Sequence, residues 1–131
     1  MEKEFIPYEQ ALALKELGFD EHCNTCYDKL QMVSSYGKDV FDYKNYNTSG
    51  YVVSRPTFSQ AFRWFRKKYS LHCYISRYSL DEFDYYIEFK SIDKLTGIDW
   101  TSYYFMSTHE EAELECLKKL IEIVKESLTK V

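Results

Sequence analysis

The chain is short of glycine and proline, with 4 and 2 among its 131 residues, and it holds only three histidines. Four glycines leave little room for a glycine-rich loop that cradles phosphates, and none stands in such a motif. His22, His72 and His109 fall in no G-x-S-x-G or H-E-x-x-H context, and no nucleophile–base–acid set emerges. We therefore expect a protein that is not an enzyme, with no catalytic residues and no cofactor. No apolar run approaches the length of a membrane span. No basic, apolar leader opens the chain, which begins MEKEFIPYEQ. Both absences lead us to expect a soluble, cytoplasmic protein with no membrane partner.

Cysteine is also scarce. Cys23, Cys26, Cys73 and Cys116 come without a secretion signal, so reduced thiols are expected. Cys23-Asn24-Thr25-Cys26 is a lone C-x-x-C. Zinc would need a second pair of ligands, and His22, His72, Cys73, His109 and Cys116 supply none at metal spacing. We expect no metal site. The acidic run Asp81-Glu82-Phe83-Asp84 lacks the spacing and glycine of a calcium loop and reads as a solvated turn.

Aromatic residues are abundant by contrast. There are 13 Tyr and 9 Phe, which suits a β-rich sheet with tyrosine on its wet face, interfaces, or base-stacking platforms. The length fits one domain, residues 1–131, large enough to form a core. The net charge is -4 and the sequence pI about 5.4, which disfavours binding to duplex nucleic acid.

Local patterns give the element order. Pro7 to Leu17 reads as a helix, with Gly18 at its end in the left-handed position and Phe19 reaching back to Leu14. A short hairpin is expected between His22 and Val33, reversing near Tyr27–Leu30. Residues 34–50 read as a long loop with a short strand near Val40–Tyr43, and Tyr51–Ser54 as a brief strand. Thr57 and Gln60 form a capping box for a second helix, whose inner stripe is Phe58, Ala61, Phe62, Phe65 and Tyr69. Three alternating strands follow, then a helix capped by Thr108 and Glu111 with Leu114, Leu117, Leu120, Ile121, Val124 and Leu128 as its core stripe. The fold class is α+β, an antiparallel sheet with helices packed on one face, in the order α-β-β-α-β-β-β-α.

The segment RPTFSQAFRWFRKKY is the richest candidate for binding. Arg55, Arg63, Arg66, Lys67 and Lys68 lie within it with no acid among them, and Trp64 falls off the inner stripe. Cations can hold a phosphate and an aromatic can stack on a base, so these residues, with loop tyrosines such as Tyr43 or Tyr46, point to an anionic, nucleotide-like ligand. The same residue types also suit a protein interface, and the plainest reading is a solvated helix face. The α-β-β-β-α order of residues 57–128 invites comparison with double-stranded RNA-binding domains. The last helix here begins THEEAELE, however, and those acids would repel the phosphates.

The strings FIPYEQALALKELGFDE, PTFSQAFRWFRKKY and THEEAELECLKKLIEIVK resemble a family of small proteins of unknown function encoded by phages and prophages. The resemblance implies a shared fold and brings no catalytic residues. By analogy of context it implies a stoichiometric binder that sequesters a nucleotide signal or masks a host defence protein; capture of the ligand is expected in a homo-oligomer.

Overall fold

A helix end that specifies itself locally opens the structure, which is a computed structural model describing residues 4–34, 43–48, 50–77, 85–92, 99–106 and 108–129. Over 77–106 and at 129 the description is of the backbone. Helix α1 spans Tyr8–Glu16. Phe19 N–H donates to Leu14 O at 2.9 Å and Gly18 N–H to Lys15 O at 3.0 Å, a complete Schellman ending. Gly18 sits at φ 94°, where an L side chain costs about 1–2 kcal/mol. Phe19 and Leu14 are both buried.

The chain forms two compact units, Met1–Ala61 and Phe62–Val131, described here each by itself. In the first, β1 (Cys26–Tyr27) pairs antiparallel with β2 (Val33–Ser34) on one side and with β3 (Val53–Ser54) on the other. The reversal between β1 and β2 belongs to Asp28. Its Oδ1 accepts from Leu30 N–H at 2.8 Å and Met32 N–H at 3.0 Å, and Gln31 takes φ 62°. The turn therefore runs over residues 28–32, one residue later than the sequence suggested. Tyr27 Oη donates to Ile6 O at 2.6 Å and Lys15 Nζ to Val52 O at 2.7 Å, tying the N-terminal segment and α1 to this small sheet.

The expected strand near Val40–Tyr43 lies, apart from Tyr43, outside the described residues. Beyond it, Lys44 bridges Cys23 and a 3-10 turn covers Tyr46–Thr48.

Helix α2 (Phe58–Tyr69) starts at the expected capping box. Thr57 N–H donates to Gln60 Oε1 at 2.9 Å and Gln60 N–H to Thr57 Oγ1 at 3.2 Å. In the second unit, β4 (Leu71–Arg77), β5 (Tyr85–Ile92) and β6 (Asp99–Met106) form an antiparallel meander, as the alternation predicts. The turns between these strands fall outside the described residues.

Helix α3 (His109–Thr129) begins with Glu111 N–H donating to Thr108 Oγ1 at 3.1 Å, and it packs along all three strands. Ala112, Cys116, Leu117, Leu120, Ile121 and Val124 are its buried residues. Leu128, expected in the core stripe, is 56% exposed in the last turn. The architecture is α+β, with helices and strands in roughly the expected order and three short strands, where that order has two, before α2.

The expectation of reduced thiols fails at two positions. Cys73 on β4 and Cys116 on α3 are joined in a disulfide, with Cα atoms 6.4 Å apart and 43 residues between them. The bond links the helix to the sheet it covers. Cys23 and Cys26 are buried and take no part in a disulfide.

Candidate functional site

The burial of Trp64 overturns its expected place on an outer face. Its exposure is 3%, and its ring meets Phe65 at 5.1 Å and Tyr69 at 5.5 Å, both edge-on. The physical reason lies in Ala61. On a helix turning about 100° per residue, position 64 lies about 60° beyond position 61. The buried arc thus runs through Trp64, Ala61, Phe65 and Phe58, while Phe62 and Tyr69 are half-buried.

Arg55 is a second correction. It precedes α2 and is 7% exposed, with its guanidinium 4.0 Å from the Phe5 ring centroid and 5.6 Å from that of Tyr27. Its amide donates to Thr25 O at 3.0 Å, and a terminal nitrogen reaches Thr25 Oγ1 at 3.5 Å. Arg55 Nε is buried without a hydrogen-bond partner. This cation braces the first unit from within and contributes nothing to an outer basic face.

Arg63, Arg66, Lys67 and Lys68 are exposed as expected. The last three occupy the final turn of α2, where a helix dipole favours positive charge on its own account. Lys68 Nζ lies 5.1 Å from the Trp64 ring and 5.7 Å from that of Tyr69. The ammonium therefore covers the indole.

The loop tyrosines divide. Tyr43 is 51% exposed and meets His22 edge-on at 5.4 Å. Tyr46, expected to stack on a ligand, is 2% exposed and structural. Its amide donates to Ser54 Oγ at 3.0 Å and its hydroxyl to Asn24 O at 3.4 Å.

What the structure assembles around Tyr46 is a pocket of about 390 Å³ in the first unit. Lys29, Lys44, Tyr46 and Tyr51 line it, with Asn45 and Thr48 adding polar atoms and Val52 an apolar one. Lys29 Nζ stands 4.6 Å from the Tyr51 ring centroid and Lys44 Nζ 5.1 Å from that of Tyr46. Among the described residues no carboxylate lines the pocket. Tyr51 presents its ring to solvent, with 72% of its surface exposed.

Side chains of asparagine and serine hold this wall in place. Lys44 is pinned by reciprocal backbone bonds with Cys23, at 2.9 and 3.1 Å. Ser54 N–H donates to Asn47 Oδ1 at 2.8 Å, and Asn47 Nδ2 donates to Phe19 O at 3.0 Å. Asn47 N–H donates to Asn45 Oδ1, and Thr48 Oγ1 to Asn45 O. Lys29 is placed by the Asp28 turn. Two ammonium groups beside two phenol rings can hold an anion while a ring stacks on a flat ligand. The sequence signal was faint: a lysine within two residues of a loop tyrosine, Lys44 beside Tyr43 and Tyr46.

Burial governs the chemistry of the Cys23 thiol. Burial pushes the Cys23 thiol from 9.0 up to about 12, against a smaller lowering by a hydrogen bond with Ser54. A protonated thiol is a poor nucleophile and a poor metal ligand. Among the described residues no group of three His, Cys, Asp or Glu side chains could hold a metal ion. His109 Nδ1 lies 3.3 Å from Glu113 Oε1 one helical turn away, and burial raises the Glu113 carboxyl while His109 opposes it.

The Cys23 shift sets a pH dependence. The folded thiol keeps its proton where the unfolded one ionises, so stability falls as pH rises from 9.0 towards about 12. Tyr69, raised from 10.0 by burial, adds to the fall in the same direction. Denaturation midpoints measured across this range should decline, and Cys23→Ala should flatten the decline. An equal slope in the variant would contradict the assignment.

No family model matches the chain, and neither a curated protein nor a solved structure matches it.

Proposed function

We propose that the protein is a non-catalytic binder that captures an anionic, nucleotide-like ligand in the Lys29–Lys44–Tyr46–Tyr51 pocket and so sequesters it. The observation that carries this reading is the pairing of two ammonium groups with two tyrosine rings in one pocket whose lining, among the described residues, holds no carboxylate. Ligand pockets span roughly 300–1,000 Å³, and this one falls at the small end, the size of a single nucleotide unit. Lys29 and Lys44 would neutralise phosphate, and Tyr51 would stack on the base. Asn45 and Thr48 would supply polar contacts to the sugar or base edge. No general acid or base is needed for this role.

A thermal-shift screen of mono-, di- and cyclic nucleotides tests the reading. A ligand at one hundred times its dissociation constant adds about 2.7 kcal/mol of stability, so a binder shows as a clear rise in melting temperature. The rise should shrink with added salt. A flat response across the panel removes the proposal.

One observation favours a second reading, a module that masks a partner protein. Leu30, Met32 and Val33 on the β1–β2 turn are 80%, 62% and 47% exposed, an apolar tip suited to a protein contact. That reading predicts no nucleotide response, and a partner's binding lost on Leu30→Asp.

A further inference from the structure

The β4–β5–β6 sheet has two faces, and α3 accounts for one of them. Cys73 is bonded to Cys116, a buried residue of α3, so the helix lies on the face that carries Leu71, Cys73 and Ile75. Directly opposed residues of an antiparallel ladder share a face, and successive residues alternate. The register therefore sets out the other face as three full rows, with Ile92 opposite Asp99 in a shorter fourth. His72 stands opposite Lys90 and then Thr101; Tyr74 opposite Glu88 and then Tyr103; Ser76 opposite Tyr86 and then Phe105.

Five of these eleven positions are aromatic, counting His72. On β4, where side chains are described, Tyr74 is 48% exposed, Ser76 is exposed, and the His72 and Tyr74 rings stack at 6.1 Å with planes 6° apart.

We propose that this face docks a second copy of the chain, sheet against sheet, about a twofold axis. The charges at the centre decide between occupants. Position 88 is acidic and position 90 basic, on the same face of the middle strand. A twofold axis between them sets Glu88 of each copy against Lys90 of the other, a self-complementary arrangement. A single-stranded nucleic acid would also stack on aromatics, but it would meet two acids, Glu88 and Asp99, against one lysine on this face.

The area fits a weak dimer. Three strands of about eight residues, at about 3.3 Å per residue and 4.8 Å between strands, give a footprint near 350 Å². Side-chain relief raises this to roughly 500 Å² per copy, so about 1,000 Å² in all, the lower bound for a specific interface. The association is concentration-dependent.

Sedimentation velocity on the full chain, from micromolar to near-millimolar concentration, tests the proposal. The wild type should pass from one chain of 15.8 kDa to twice that mass. Tyr74→Glu should remain monomeric throughout. Lys90→Glu should weaken dimerisation at least tenfold, since it sets like charges together. Glu88→Lys combined with Lys90→Glu should restore it, a recovery that a merely misfolded variant would not show. A wild type that stays monomeric at the highest concentration overturns the proposal. So does a dimer indifferent to Tyr74→Glu and Lys90→Glu, or a double variant no better than the single one. A monomer that instead binds a single-stranded oligonucleotide through this face overturns it in favour of that occupant.

Discussion

Trp64→Ala should lose about 3–5 kcal/mol of folding stability, the usual cost of truncating a buried indole. The side chain is 3% exposed and packs edge-on against Phe65 and Tyr69. Its removal leaves a void beside Phe65 and Tyr69 and strips Lys68 of the ring its ammonium covers. A domain of this size is stable by about 5–15 kcal/mol, so the loss is a large share of the total. Trp64→Phe, which keeps an aromatic ring, should cost clearly less. Denaturant titrations followed by circular dichroism measure both. A loss under about 1 kcal/mol for the alanine variant would mean that the indole is dispensable to the core.

Charge reversal at the pocket should act on binding and leave stability alone. Hydrogen bonds to charged groups contribute about 1.5–3 kcal/mol each, so Lys44→Glu should weaken capture of a phosphate-bearing ligand by about 10–100-fold or more. Lys29→Glu should do nearly as much, and the double variant should not bind. Both lysines are exposed, so midpoints should stay within about 0.5 kcal/mol of the wild type. Lys67→Glu is the control. It changes charge equally on the last turn of α2, outside the pocket lining, and should leave most of the affinity intact. If Lys67→Glu abolished capture and Lys44→Glu did not, the site would return to the α2 surface.

The contrast between Trp64 and Lys44 shows what the sequence could carry. Features set by neighbours in the chain were legible. The Thr57–Gln60 box, the Gly18–Phe19 ending and the alternation of β4 to β6 each depend on residues a few positions apart, and each was found where expected. Side chains whose environment comes from distant segments were not legible. Arg55 looks like one more surface cation until Phe5 and Tyr27 close over it. Tyr46 looks like a loop aromatic until Asn24 and Ser54 fix both its ends. Cys73 and Cys116 meet across 43 residues.

Helical periodicity placed Trp64 correctly in angle but could not tell that the core extends past Ala61 to include it. The pocket is the extreme case. Lys29 belongs to the turn after β1 and Lys44 to a bridge with Cys23, and nothing in their spacing announces a shared site. Residue chemistry in the sequence suggested an anionic ligand on α2, whereas the capture site proposed above lies beside the small sheet.

The most direct measurement is a nitrogen–proton correlation spectrum of the labelled chain, titrated with the nucleotide that gives the largest thermal shift. Saturable shifts should gather on Lys29, Lys44, Tyr46, Thr48 and Tyr51 and disappear in Lys44→Glu. Shifts that gather on Arg63, Arg66, Lys67 and Lys68 instead, or a spectrum that does not move, would contradict capture in the pocket.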